Sequence, residues 1–152
     1  MFLPTSKTVI RPIAPGDRAQ WETLWQGYQT FYKVALPDVV TETTWARFFE
    51  PAEPVHALVA EADGVLFGLV HYIFHRNTWM LKPACYLQDL FTAEAARGRG
   101  VGRALIEAVY AEARETGASR VYWMTHETNT QAMILYDQVA EKSGFLQYRK
   151  NF

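Results

Sequence analysis

The apolar positions of the chain change period along its length, and each change marks an element. Trp21, Leu24, Trp25, Tyr28, Phe31 and Tyr32 follow the turn residues Pro15, Gly16 and Asp17 at helical spacing, which predicts an amphipathic helix over 17–33 with a strongly aromatic face. Ahead of it, TVIRPI at 8–13 has the short apolar run of a strand. A second, shorter helix is predicted from Thr41 as cap through Trp45, Phe48 and Phe49, stopped by Pro51 and Pro54. The pattern then becomes strand-like. HALVAEA and VLFGLVHYIF flank Asp63-Gly64, a dipeptide suited to a tight hairpin, and ACYLQDLFT follows Pro83. From residue 99 the spacing is helical to Thr116, with Gly117 as the stop. RVYWMT at 120–125 reads as a strand, 130–143 as a helix ended by Gly144, and FLQYRKNF as a closing strand. The predicted order is β-α-α-β-β-β-α-β-α-β.

Composition narrows the class. With 152 residues, 49% of them hydrophobic, the chain 1–152 is read as one domain with enough apolar material for a core. A formal net charge of -1 argues against a general basic coat of the kind that grips nucleic acid, so no nucleic-acid partner is expected and any anion is bound locally. The lone Cys85 rules out an internal disulfide framework, and no Cys/His spacing suits a metal. The opening MFLPTSKTVIRPI lacks the basic region and long apolar run of a leader, and no stretch approaches the roughly 18 apolar residues of a membrane span. The expectation is a cytoplasmic protein with no membrane partner and no metal.

The densest local signal is ARGRGVGRAL at 96–105, where Gly98, Gly100 and Gly102 alternate with Arg97, Arg99 and Val101, with Arg103 following, as a strand gives way to a helix. Glycine has no Cβ, so its N–H can approach a ligand closely. The first turn of a helix leaves N–H groups unpartnered, and the macrodipole adds about half a positive charge there. Such a loop is an anion cradle, and a pyrophosphate is its natural guest. Neither familiar nucleotide pattern is present: G-x-G-x-x-G needs a glycine where Arg103 stands, and G-x-x-x-x-G-K-[ST] does not occur. On composition alone, a glycine-rich turn with solvated arginines fits as well.

Arg97-Gly98-Arg99-Gly100-Val101-Gly102 matches the R/Q-x-x-G-x-G/A loop of the GCN5-related N-acetyltransferases. Asn129, Ala132, Leu135 and Tyr136, with Gly144-Phe145 behind them, resemble that family's N-x-x-A-x-x-L-Y segment and the Gly-Phe after it. The wording YLQDLF, HETN and LYDQVAEKSGF is most similar to the histone/polyamine acetyltransferase branch. The resemblance spans essentially the whole chain. It implies an α/β (α+β) acyl-CoA N-acyltransferase fold, a central and mostly antiparallel mixed sheet flanked by helices. It also implies an enzyme that moves acetyl from acetyl-CoA to a primary amine by direct attack in a ternary complex. The amine could belong to a polyamine, an amino acid, or a protein lysine or N-terminus. The alternative is a non-catalytic CoA-binding sensor. By the same resemblance the pyrophosphate lies on Arg97, Gly98, Arg99, Gly100, Val101, Gly102 and Arg103, pantetheine pairs with the backbone at Phe91 and Thr92, Asn129 contacts the cofactor, and Tyr136 protonates the CoA sulfur.

Direct attack needs no nucleophilic residue, so Cys85 is read as a core thiol. Asn129 and Tyr136 are two helical turns apart and share a face, although Asn129 also suits an N-cap and Tyr136 plain packing. The base departs from the family pattern. Strict alternation puts Tyr86, Gln88, Leu90 and Thr92 on one face of their strand and Asp89 on the other. Members that this chain resembles carry glutamate where Gln88 stands, and an amide removes no proton. Gln88 is therefore read as holding a water or orienting substrate, while Asp89, Glu127 or His126 receives the proton. Asp89 is the nearest acid, and a strand carboxylate paired with a neighbour is an equal reading. The substrate side is assigned to Tyr28, Tyr32, Gln88 and Glu127, with Asp38 and Glu42 as further candidates. His71 and His75 are given no role.

Seven residues, DQVAEKS, separate Tyr136 from Gly144, where many relatives have three. The last helix is therefore expected to be about one turn longer. The single closing strand would leave an open edge, which favours a homodimer.

Overall fold

The computed structural model describes residues 7–152; residues 1–6, which begin the stretch read as lacking a leader, lie outside it. Strands β1 (Val9–Pro12), β2 (Val55–Ala62), β3 (Val65–His75), β4 (Ala84–Thr92) and β5 (Arg120–Tyr122) form one sheet in sequential order. Neighbours from β1 to β4 are antiparallel, and β5 runs parallel to β4. Helices α1 (Arg18–Phe31) and α2 (Asp38–Arg47) follow β1, and α4 (Thr130–Val139) follows β5. A parallel pair needs a crossover, and α3 (Val101–Thr116) supplies it.

Alternation along the strands feeds two cores, one on each face of the sheet. Leu58, Val70, Leu87, Leu105, Ile106 and Val109 pack together on the α3 side. Trp21, Leu24, Trp25, Val59, Leu66 and Leu69 pack on the α1 side, with Trp45 and Phe48 of the α2 region against them. Arg11 of β1 ties this second layer down. Its guanidinium donates to both carboxylate oxygens of Asp17 at 2.8 and 2.9 Å and also pairs with Glu61, holding the Asp17 carboxyl below the usual carboxylate range.

Local chemistry sets the boundaries. Asp63 and Gly64 both have positive φ, 52° and 77°, as a two-residue hairpin turn requires. Gly117, at φ 84°, ends α3, with its own N–H on Arg114 O and the Ala118 N–H on Ala113 O. Gly68 of β3 lies beneath α3. A Cβ there would come within 3.0 Å of Leu105 Cδ1, 3.1 Å of Val101 Cγ1 and 3.2 Å of the Phe91 carbonyl oxygen. The bare backbone therefore lets the start of α3 sit close to the end of β4.

Four boundaries differ from the sequence reading. Helix α2 starts at Asp38 rather than at Thr41, because Pro37 takes the N-cap place and Asp38 its first turn; Thr41 is buried inside the helix. Strand β5 is three residues long. Helix α4 stops at Val139 and is not a turn longer, since Ala140, Glu141, Lys142 and Ser143 offer no apolar face to bury. FLQYRKNF forms no strand within the chain. Phe145, Leu146, Tyr148 and Phe152 are all exposed, because a strand needs a paired edge and this segment reaches none of its own. The mixed, mostly antiparallel sheet flanked by helices is as expected, without the last strand.

Gly68→Ala should destabilise the protein by about 1 kcal/mol, because one neighbour of the new methyl is backbone and has no rotamer to yield. Urea unfolding of the two proteins measures it; an unchanged midpoint would show that α3 shifts freely.

Candidate active site

The centre of β4 does not alternate. His71 of β3 faces Asp89, and Tyr72 faces Leu87, so Gln88 is an extra residue on β4. This β-bulge resets the pleat. Leu87 and Leu90 contribute to the α3-side core, while Tyr86, Asp89 and Phe91 lie on the α1 side. The expected grouping of Tyr86, Gln88, Leu90 and Thr92 on one face, with Asp89 opposite, is therefore corrected. Asp89 shares Tyr86's face, Leu90 has moved to the other, and Gln88 stands exposed at the bulge.

Asp89 is buried, with only 8% of its surface exposed. Its Oδ2 lies 3.0 Å from His71 Nδ1, and His71 Nε2 lies 3.0 Å from the indole Nε1 of Trp21. Tyr28 and Tyr32 of the α1 end and Tyr86 of β4 gather around the carboxylate. Burial, then the Asp89 charge, pushes the hydroxyls of all three above the ordinary phenol range. Tyr136 packs edge-on against Trp123 at 5.5 Å, and burial, with Tyr32 next in effect, pushes its hydroxyl up to about 12. The structure thus gathers Tyr28, Tyr32 and Tyr86 about Asp89, while Tyr136 packs against Trp123 on the α3-side core.

The glycine loop lies at the far end of β4. Gly98 and Gly100 have φ of 77° and 78°, and a Cβ at either would meet no atom within 4 Å, so glycine serves the left-handed backbone rather than internal packing. The first helical bond of α3 runs from the Ala104 N–H to Gly100 O. Val101, Gly102 and Arg103 therefore keep N–H groups with no helical partner. The Val101 side chain is buried against the sheet, so its backbone N–H is the part of it that faces a ligand, as the cradle reading requires. Arg97 donates to Thr92 O at 3.2 Å and stands 5.7 Å from the rings of Phe31 and Phe91, bracing the loop. Arg103 is engaged by Gln138 of α4 and by Glu107. Arg99 has no side-chain partner among the described residues. A concavity of about 420 Å³ lined by Arg103, Glu107, Tyr110, Arg114, Gln138 and Val139 follows the seam of α3 and α4 and contains none of the groups around Asp89.

Strand β5 pairs with β4 only at Ala84 to Tyr86, so among the described residues the β4 backbone from Leu87 to Thr92 has no strand on that side. Phe91 turns its ring to α1, edge-on to Tyr28. Asn129 occupies the N-cap position without capping; its side chain donates to Thr125 at 3.3 Å. Glu127 and Asp38 are exposed, and Glu42 is tied to Arg18, so none of these acids joins the group around Asp89. Cys85 is fully buried and its thiol is pushed up to about 12, the state of a core residue. Sequence reasoning gave no role to His71 or Trp21. Only the strand register, which pairs His71 with Asp89, discloses them.

The model of the acetyltransferase (GNAT) family matches residues 21–140. The chain belongs to that family. As a GNAT acetyltransferase it is an enzyme, and acetyl-CoA is the co-substrate GNAT acetyltransferases use. The D-amino-acid N-acetyltransferase of Saccharomyces cerevisiae is 39% identical over 147 residues, covering 95% of this chain and 91% of the yeast protein. The thialysine N-epsilon-acetyltransferase of Mus musculus is 29% identical over 109 residues, 62% of each protein. Among solved structures, AAC(6')-Iy in complex with a bisubstrate analogue superposes with a TM-score of 0.83 at 22% identity, covering 97% of this chain and 100% of that one. The ribosomal-protein-alanine N-acetyltransferase of Brucella melitensis superposes with a TM-score of 0.79 at 21% identity, over 96% and 100%. The GNAT fold is thereby shown. No helix among the described residues is long and apolar enough to cross a membrane.

Arg99→Ala should weaken acetyl-CoA binding about two- to fivefold at low salt, with the melting temperature unchanged, because an exposed, unpaired cation contributes charge and little packing. Calorimetry at two salt concentrations checks it, and an unchanged affinity at both would remove Arg99 from the cradle.

Proposed function

We propose that this GNAT acetyltransferase transfers acetyl from acetyl-CoA to the primary amine of a small amino acid or similar acceptor, by direct attack within a ternary complex. The observation that carries the reading is the buried carboxylate of Asp89, held by His71 on the half of β4 whose neighbouring edge is left unpaired by β5. In this reading Asp89 attracts the acceptor ammonium and receives its proton, while Tyr28 and Tyr32 shape the acceptor pocket. Gln88, exposed at the bulge, orients acceptor or water at the mouth of the site, and Glu127 stays outside it. The relative that acts on D-amino acids supports an amino-acid acceptor over a polyamine or a protein lysine. The cradle from Arg97 to Arg103, with the open edge at Phe91 and Thr92 and with Asn129, receives the cofactor.

Tyr136 acts on the leaving sulfur. The amine nitrogen bonds to the acetyl carbon, the carbon–sulfur bond breaks, and the sulfur leaves with the electron pair. A phenol at about 12 stays protonated at every working pH, so its hydroxyl is always available as a donor. It is nevertheless a far weaker acid than a thiol of about 8.5, so its main contribution is a hydrogen bond to the developing thiolate. The proton that ends on CoA is made up by the one lost from the amine. The test follows free thiol release with acetyl-CoA and a panel of amines that begins with D- and L-amino acids. Turnover should rise toward pH 9 as more amine becomes neutral, and Tyr136→Phe should lose about a hundredfold in turnover with little change in cofactor affinity. Failure of every amine would leave a CoA-binding sensor, and equal turnover by the variant would reduce Tyr136 to packing.

The same enzyme is proposed to act as a homodimer. Residues 140–152 carry exposed Phe145, Leu146, Tyr148 and Phe152 and pair with no strand among the described residues, which supports their docking on the sheet edge of a second copy. Deleting residues 144–152 should turn the dimer into a monomer on gel filtration with light scattering; identical masses before and after deletion would remove the segment from any interface.

A further inference from the structure

The Trp21–His71–Asp89 chain is not needed to describe the transfer itself, yet it lies within the aromatic core and ends at the carboxylate. Trp21 is fully buried, and His71 is 3% exposed. His71 is enclosed by Trp25 and Phe48, each with its ring centroid 5.0 Å away, and by Trp21 at 6.0 Å. Around Asp89 the titratable neighbours are Tyr28 and Tyr32 from α1, Tyr86 from β4 and His71 from β3. The helices over His71 present indoles and a phenyl, with Ala57 beside it on β2.

An indole nitrogen always carries its hydrogen and accepts nothing. Trp21 therefore donates to His71 Nε2, so the ring hydrogen of the neutral imidazole resides on Nδ1 and is donated to Asp89 Oδ2. We infer that His71 is a positioning residue for acetyl transfer, locked by Trp21 as a neutral Nδ1–H donor that fixes the Asp89 carboxylate toward the acceptor amine. The role in transfer rests on the proposed function, which makes Asp89 the proton acceptor; the locked tautomer does not. Because the Nε2 lone pair is occupied, His71 takes no part in carrying the substrate proton, which stays on Asp89. A histidine free at Nε2 would compete for that proton. The bulge at Gln88 makes the arrangement possible, since it turns Asp89 to His71's face.

Two measurements test this. Nitrogen-15 spectra of the imidazole in the native protein near pH 7.5 should show His71 protonated at Nδ1 and bare at Nε2, whatever amine the enzyme uses. A proton on Nε2 overturns the inference even if acetylation is confirmed. In turnover, His71→Leu should lose about ten- to a hundredfold in kcat/KM through the missing hydrogen bond to a charged group. His71→Asn, whose amide reaches the place of Nδ1 as a neutral donor, should stay within about threefold of native. Once Asp89→Asn has been introduced, His71→Leu should add little further loss. Equal losses for Leu and Asn, or full additivity with Asp89→Asn, would make His71 a packing residue and overturn the role. A native enzyme inactive on all amines would overturn the proposed function instead, leaving the spectra to decide the locked tautomer. Melting curves on each variant separate loss of fold from loss of positioning.

Discussion

Strand β4 has to satisfy three demands within nine residues, and the rest of the structure is arranged around how it does so. Its first half pairs on both edges and completes the sheet, with Cys85 and Leu87 in the α3-side core. Its second half must offer a carboxylate to the opposite face and leave one backbone edge unpaired. In a regular strand Asp89 would share the face of Cys85 and Leu87 and point into the α3-side core, because the pleat assigns alternate residues to fixed faces. The extra residue at Gln88 releases that constraint at a local cost of one unpaired ladder position. It also falls where β5 stops pairing, so the change of face and the opening of the edge begin within two residues of each other.

The layers on either side then have distinct jobs. Helix α3 lies close enough to touch Gly68, and its first turn is thereby fixed beside the end of β4. Helix α1 contacts the same strand from the other face. Gly27 allows this: a Cβ there would come within 2.9 Å of the Phe91 ring tip. Arg97 joins the two sides, bonding to the end of β4 and standing over rings from both α1 and β4. A substitution far from Asp89 that loosens either helix would move the site as a whole.

Much of this was legible in the sequence because it is written in local periods. The aromatic stripe of α1, the Asp63-Gly64 hairpin, the glycine loop before α3 and the Gly117 stop each depend on neighbours a few residues apart. The bulge was not legible, since YLQDLFT reads as an unbroken strand and nothing local marks Gln88 as extra. That one residue reversed the predicted faces of Asp89 and Leu90. The pairing of His71 with Asp89 depends on a register across 18 positions, which no local pattern encodes. The end of the chain misled for the opposite reason. FLQYRKNF has a strand's composition, but composition does not supply an edge to pair with, and the segment finds none among the described residues.

Burial of Asp89 decides what kind of site this is. A carboxylate placed this deep loses hydration and requires compensation, and a cation beside it would give the most. The chain provides none among the groups that surround it. His71 is held by Trp21 as a neutral donor, and the remaining neighbours are the hydroxyls of Tyr28, Tyr32 and Tyr86. The carboxyl is therefore oriented by His71 and meets no cation among the described residues around it. Under the proposed function, an acceptor ammonium beside Asp89 would supply the missing cation, and binding it would recover part of what burying the carboxylate cost.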